Sequence, residues 1–287
     1  PLGGYTTWPA RTAGLEVQAE PQIVETLTHL LEQVADKPRR IAADEGHAYS
    51  KAVVESKPTA FWRLGDIDGT SAVDSAGGHH GTYEDGIAFY LPGPKGDGLN
   101  QPPRGNRSAH FAGGRVAANV PQLSNIYTVE CWVWNGFPND ERAVTGYFFS
   151  RGRDGDAKVN GDHLGIGGNY QNRGWNGKLL LFNGNERDEA LVGRTVLEPR
   201  TWHHVVFVRD DRHVKVYLNG EVEPEIDGEL HPTFSEDNDE IFLGGRSDRL
   251  FGLEGRLDEV ALYDRALTPA EVSAHFAIAG ALRIPQI

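Results

Sequence analysis

Trp202-His-His-Val-Val-Phe-Val-Arg209 and His213-Val-Lys-Val-Tyr-Leu218 stand either side of Asp210-Asp211-Arg212, and the second run leads into Asn219-Gly220. Both runs are rich in β-branched and aromatic residues, which suit a pleated, half-buried surface. The polar gap between them is too short for anything but a reversal. Asn-Gly accepts the positive φ angles that tight hairpin loops require. The stretch therefore reads as two strands joined by a turn, with a further hairpin into Glu221-Val222.

The same grammar continues outward. Glu130-Cys-Trp-Val-Trp134 is a strand of aromatic and β-branched residues, and Lys178-Leu-Leu-Leu-Phe182 precedes Asn183-Gly184, another hairpin signal. Asp239-Glu-Ile-Phe-Leu243 stops at Gly244-Gly245, and Gly255-Arg-Leu-Asp-Glu-Val-Ala-Leu-Tyr263 is a further strand. Many short strands divided by Gly, Asn and Asp turns predict a sandwich or barrel and exclude a βαβ fold. Thr268-Pro-Ala-Glu271 then opens a helix. Thr268 caps the Glu271 N–H, Glu271 reaches back, and Pro269 takes the first helical position. Val272 and Phe276 share its face, and Gly280 can end it.

The first 47 residues differ. In Pro21-Gln-Ile-Val-Glu-Thr-Leu-Thr-His-Leu-Leu-Glu-Gln-Val-Ala35, residues Ile23, Leu27, Leu30, Leu31 and Val34 recur at helical spacing. We expect one amphipathic helix over about 21–36 and a linker to His47, forming an extension (1–47) ahead of the sandwich (48–287). The apolar stripe of that helix must be covered, by the sandwich or by an upstream domain of the same parent chain.

The 287 residues carry a formal net charge of −13, with 39% hydrophobic and 24% charged residues. An acidic surface repels phosphate backbones and argues against nucleic acid as a partner. No apolar run is long enough for membrane insertion. The surplus of carboxylates suits a hard divalent cation such as Ca²⁺. The single cysteine, Cys131, forbids an internal disulfide, which fits a cytosolic protein or an exported domain large enough to need no staple. With no Met and Pro1 at its start, the chain is expected to be a processed or recombinant piece of something longer.

The order of motifs then resembles a known family. Pro58-Thr-Ala-Phe-Trp-Arg-Leu-Gly65, Asp74-Ser-Ala-Gly-Gly78 and Gly81-Thr-Tyr83 are similar to the opening of bacterial laminin-G-like domains. Phe111-Ala-Gly-Gly114, Tyr127-Thr-Val-Glu-Cys-Trp-Val133, Trp202-His-His-Val-Val206 with Val216-Tyr-Leu-Asn-Gly220, and Gly255 to Glu271 resemble that family's later strands and closing helix. The resemblance implies an all-β fold: a two-sheet antiparallel jelly-roll sandwich of the concanavalin A-like class, with an N-terminal helix and a short C-terminal helix. It implies a non-catalytic accessory module of a larger secreted, periplasmic or surface-bound bacterial protein. Such modules bind a polysaccharide or a glycoprotein glycan, or serve as purely structural or protein-binding domains. It further implies a structural Ca²⁺, for which the matching residues are Asp74, Asp258 and, as a third, Asp66. The alternative reading makes Asp74 a turn support and pairs Asp258 with Arg256 or Arg265.

For a glycan, the loop Gly167-Gly-Asn-Tyr-Gln-Asn-Arg-Gly-Trp-Asn-Gly177 has a fitting mixture. Tyr170 and Trp175 offer flat faces for the C–H side of a sugar, and Asn172, Arg173 and Asn176 offer partners for hydroxyls. The alternative buries Trp175 at the start of the next strand. Trp62, Trp132, Trp134 and Trp202 lie in strand patterns and are expected in the core. A jelly-roll glycoside hydrolase or polysaccharide lyase would need two carboxylates facing one groove. Glu225-Ile-Asp-Gly-Glu229 has the alternating letters but reads as a loop, and Glu236-Asp-Asn-Asp-Glu240 and Asp154-Gly-Asp156 read as solvated loops. No zinc spacing, nucleophile elbow or phosphate loop is present. Cys131 is expected to be an inert buried thiol.

Overall fold

A computed structural model describes residues 46–100, 105–152, 161–184, 189–232 and 239–281. The helix expected over about 21–36, Asp154-Gly-Asp156 and Glu236 to Asn238 lie outside these residues.

The described strands form two eight-stranded sheets, and every strand pairing is antiparallel. The first runs β14 (Ile226–Glu229), β13 (His213–Leu218), β12 (Trp202–Asp210), β7 (Ile126–Asn135), β16 (Glu254–Tyr263), β5 (Arg107–Ala112), β4 (Ile87–Pro92), with β1 (Ala60–Trp62) also on β16. The second runs β11 (Glu189–Val196), β10 (Lys178–Asn183), β9 (Gly161–Gly167), β8 (Val144–Gly152), β15 (Glu240–Leu243), β6 (Val116–Asn119), β3 (Gly81–Tyr83), β2 (Ser71–Ala72). Neighbours in space are often distant in sequence, as β16 on β7 and β15 on β8 show. The expected two-sheet jelly-roll sandwich is the fold observed.

The core lies between the sheets. In β7 the odd positions Tyr127, Val129, Cys131 and Val133 enter it, against Phe207 and Val205 of β12 and Leu257 of β16. Burial pushes the Cys131 thiol's pKa well up, as does the neighbouring Glu130 charge, so the thiol is inert.

The even positions of β7 face outward but are not in water. Two helices cover them, α1 (Ala48–Glu55) and α2 (Pro269–Ala279), and a second core forms from Tyr49, Val53, Trp132, Val206, Tyr217, Tyr263, Val272 and Phe276. That is why β7, β12 and β16 are buried on both faces. The capping box at Thr268–Glu271 is present, Pro269 opens α2, and Gly280 closes it at φ 62°. At Gly220 (φ +69°) a β-carbon would lie 2.4 Å from Phe276 Cβ, so a glycine is what lets α2 dock on the turn.

Several expectations need correction. Helix α1 falls where a linker is expected: about two turns with His47 as N-cap carry too short a period to stand out. The hairpin after Asn219-Gly220 returns at Ile226, not at Glu221-Val222. Asn183 belongs to its strand, and the chain re-pairs only at Glu189, so the β10–β11 connection is longer than a two-residue turn. Glu225-Ile-Asp-Gly-Glu229 is not a loop but contains edge strand β14. Trp62 and Trp132 are buried, whereas Trp134 and Trp202 are only half-buried; Trp202 packs on the margin of the second core and Trp134 lies under the Arg256 guanidinium.

Candidate functional site

Neither described α-helix belongs to the cluster on the outer face of the second sheet, and its strands place a string of rings there. Alternation in β9 and β10 sends Leu164, Leu179 and Leu181 inward and His163, Leu180 and Phe182 outward. Trp175, Phe182, Val192 and Phe251, all half-buried, pack around Val144, Tyr147 and Leu180. His163 stacks on Phe182 at 5.9 Å between centroids. The Arg246 guanidinium lies 4.8 Å over Tyr147 and 5.8 Å over Phe182, and it is ion-paired with Asp248. Burial alone would raise the Asp248 carboxyl's pKa, but the Arg246 donors and charge outweigh it and hold it low.

The loop 168–177 stands at the rim of this face, and the structure brings most of the expected glycan residues together there. Tyr170 and Trp175 stack at 5.3 Å and 23°, and Arg173 lies 5.3 Å over each ring. Both rings are half-buried, Asn172 and Arg173 are exposed, and Asn176 turns inward to donate to the Asn139 carbonyl at 3.2 Å. The loop is held at its base by Gly168 N–H to Ala143 O (3.2 Å) and Gly177 N–H to Gly167 O (2.9 Å). At Gly167 a β-carbon would meet the Trp175 carbonyl at 2.5 Å, so the residue type sets the close approach that seats Trp175. Phe182, Phe251 and Arg246 were not singled out from the sequence. Phe182 could have been, since it falls on the outward register of a strand already recognised.

The three aspartates considered for Ca²⁺ are placed differently from one another. Asp74 accepts five backbone N–H groups, from Phe61, Ala76, Gly77, Gly78 and His79, at 2.7–3.0 Å. Burial would raise its pKa, but these donors lower it, and its oxygens are spent on anchoring the turn. Asp66 accepts the Tyr83 hydroxyl at 2.7 Å. Asp258 is fully buried and takes the Asn106 amide at 2.5 Å on Oδ2, while its Oδ1 finds no partner among the described residues. Its partner is thus Asn106, not Arg256, which lies over Trp134, or Arg265, which pairs with Glu271. Burial first, and the Glu259 charge second, push the Asp258 carboxyl well above its usual pKa. Among the described residues no three His, Cys, Asp or Glu side chains form a metal-binding group. The His79-His80 pair serves the same turn, His80 Nδ1 accepting the Asp74 N–H at 3.0 Å.

The alternating carboxylates at 225–229 are each engaged in a separate local pair. Glu225 accepts from the Thr195 hydroxyl and the Arg194 N–H, Asp227 pairs with His213 and Lys215, and Glu229 pairs with Arg212.

The family model for the concanavalin A-like lectin/glucanases superfamily, of the laminin-G type, matches residues 111–273, more than half of the chain. The chain belongs to this superfamily. Its fold class is shared by enzymes and binding domains alike. Domain 4 of AbnA, an extracellular arabinanase of Geobacillus stearothermophilus solved with arabinotriose, superposes with a TM-score of 0.54 at 24% identity, over 76% of this chain and 98% of that domain. Trypanosoma rangeli sialidase superposes at 0.53 and 18% identity, over 77% of this chain and 32% of the sialidase. Such likenesses establish the fold alone. The human adhesion G-protein coupled receptor D1 is 29% identical over 111 residues, 37% of this chain and only 12% of the receptor. No helix among the described residues is long and apolar enough to cross a membrane.

Proposed function

We propose that this chain is a non-catalytic carbohydrate-binding module of a larger extracellular protein, with its ligand seated on the outer face of the second sheet. The observation that carries the reading is the Tyr170–Trp175 stack, half-exposed and crossed by Arg173, at the edge of a face already lined by Phe182 and Phe251. Flat aromatic faces take the apolar side of a sugar ring, and exposed Asn172 and Arg173 beside them suit its hydroxyls. The superfamily and the arabinotriose bound to a similar domain support a saccharide as the ligand. The engagement of Glu225, Asp227 and Glu229 in separate local pairs favours binding over hydrolysis.

Screening against a polysaccharide array is expected to return a hit whose affinity falls about thirty-fold in Trp175→Ala, the equivalent of about 2 kcal/mol for an aromatic anchor. The unfolding midpoint should move little, since Trp175 is at the rim. A blank array, or a hit indifferent to Trp175, would turn the reading toward a structural or protein-binding domain.

A structural Ca²⁺ belongs to the same proposal and rests on Asp258. A cation there would relieve two buried carboxylates, whose Asp258 Oδ1 and Glu259 Oε2 atoms are both unpartnered among the described residues. Calcium is expected to raise the thermal midpoint relative to EDTA, and Asp258→Ala to abolish the rise, because an ion that binds only the native state stabilises it. An identical midpoint in both media removes the ion from the account.

A further inference from the structure

An open pocket of ≈ 440 Å³ lies on the outer face of the first sheet, beside the C-terminal end of α2 and remote in sequence from the Trp175 loop. Its apolar walls come from Trp132, Trp202 and Phe276, and its charged groups are Lys95, Arg200 and Arg256. Among the described residues no carboxylate lines it. In a chain of net charge −13, three cations from three separate segments gathered in one pocket run against the overall charge.

None of these cations is neutralised by an ion pair among the described residues. Lys95 and Arg200 are exposed and make no ion pair among the described residues. Arg256 is held in place, its guanidinium 4.5 Å over Trp134 and its Nη1 donating to the Pro92 carbonyl at 3.1 Å. The Arg200 turn is fixed by its own N–H to the Asn135 carbonyl at 2.7 Å. Two further donors in the wall, Arg256 Nε and Trp132 Nε1, are buried and find no acceptor among the described residues, and Trp132 is only 1% exposed. The polar side chains of the wall are thus dominated by donors and cations, and the rest is ring surface.

We infer that this pocket is a second saccharide subsite, selective for a sugar ring that carries an anionic group, carboxylate or sulfate. The rings take the apolar face, and the three cations take the anion, a charge-assisted arrangement stronger than neutral hydroxyl contacts. The chain's overall negative charge opposes long polyanions at a distance, which favours a short, singly or doubly charged ligand over nucleic acid. The inference shares with the proposed function only the premise that the ligand is a saccharide, and it uses none of the Trp175 residues.

Titration calorimetry on the full chain with digalacturonate, galactose 6-sulfate and neutral galactobiose tests it. At least one anionic probe should bind ten-fold or more tightly than galactobiose and lose that advantage as salt is raised. Digalacturonate alone identifies a carboxylate site, galactose 6-sulfate alone a sulfate site. Lys95→Gln with Arg200→Gln should abolish the preference, and both positions are exposed, so an unchanged unfolding midpoint confirms that the fold is intact. Trp175→Ala should leave anionic binding untouched. Failure of both anionic probes, equal affinity for galactobiose, retention of binding in the double variant, or loss in Trp175→Ala would each overturn the subsite. A blank neutral array beside anionic binding lost in the double variant would remove the Trp175 site and leave this one standing.

Discussion

Glu130→Ala is expected to lower stability by about 3–5 kcal/mol, the usual cost of breaking a buried charged network by removing one partner. For a domain of this size that is a fall of about 10 °C in unfolding midpoint. Glu130 is fully buried under the helices. Its carboxylate accepts the Tyr49 hydroxyl (2.9 Å), His204 Nε2 (2.8 Å), the Tyr263 hydroxyl (3.1 Å) and His275 Nδ1 (2.9 Å). It therefore ties β7 to β12, β16, α1 and α2 at one point. Burial alone would raise its pKa, but the His204 and His275 donors outweigh burial and hold it well below the usual range. For His275, burial would lower the pKa, and the hydrogen bond to Glu130 and its charge raise it instead. Glu130's contribution is thus present above the ordinary carboxylate pKa of about 4.3 and lost as pH falls. That of His275 is full below about 6.5 and lost as pH rises through its raised value. Midpoints recorded against pH should peak between these limits in the wild type and flatten in Glu130→Gln. A profile unchanged by Glu130→Gln would refute the coupling.

The second large effect is expected at Asp162. Arg209, fully buried, reaches across from β12 to β9 and places Nε and Nη2 on the two Asp162 oxygens at 2.5 Å each. Tyr127 and Asn183 donate to the same carboxylate at 2.5 and 3.1 Å, and Arg209 Nη1 serves the Leu230 carbonyl at 3.1 Å. Asp162→Ala strands a buried guanidinium and should cost about 3–5 kcal/mol, whereas Asp162→Leu with Arg209→Met should cost much less than the sum of its two single changes. Urea unfolding of the four proteins measures this. Additive losses would mean that the pair is not the unit that joins the sheets at this end.

Neither network could be read from the sequence, because their bonded members are 21 to 145 residues apart and none follows a local period. Glu130 in particular sits in Glu130-Cys-Trp-Val-Trp134, where the pattern says only that alternate residues share a face. Both faces of β7 are covered, so burial of the even positions depends on where α1 and α2 dock. Asp74 went the other way: the turn-support alternative was legible from Asp-Ser-Ala-Gly-Gly, and five N–H contacts fill its carboxylate.

The sequence by itself determined the strands β7, β10, β12, β13, β15 and β16, the turn at Asp210–Arg212, the capped C-terminal helix and the sandwich class, because propensity, period and capping act over a few residues. It also determined that Tyr170, Arg173 and Trp175 share one loop. Tertiary structure alone decided that Trp175 stays half-exposed beside Phe182 and Phe251, that Lys95, Arg200 and Arg256 meet in one pocket, and that Trp134 and Trp202 are only half-buried. Those outcomes follow from which strands become neighbours and which sheet face the helices cover. Contacts across large sequence separations set both, and no local pattern encodes them.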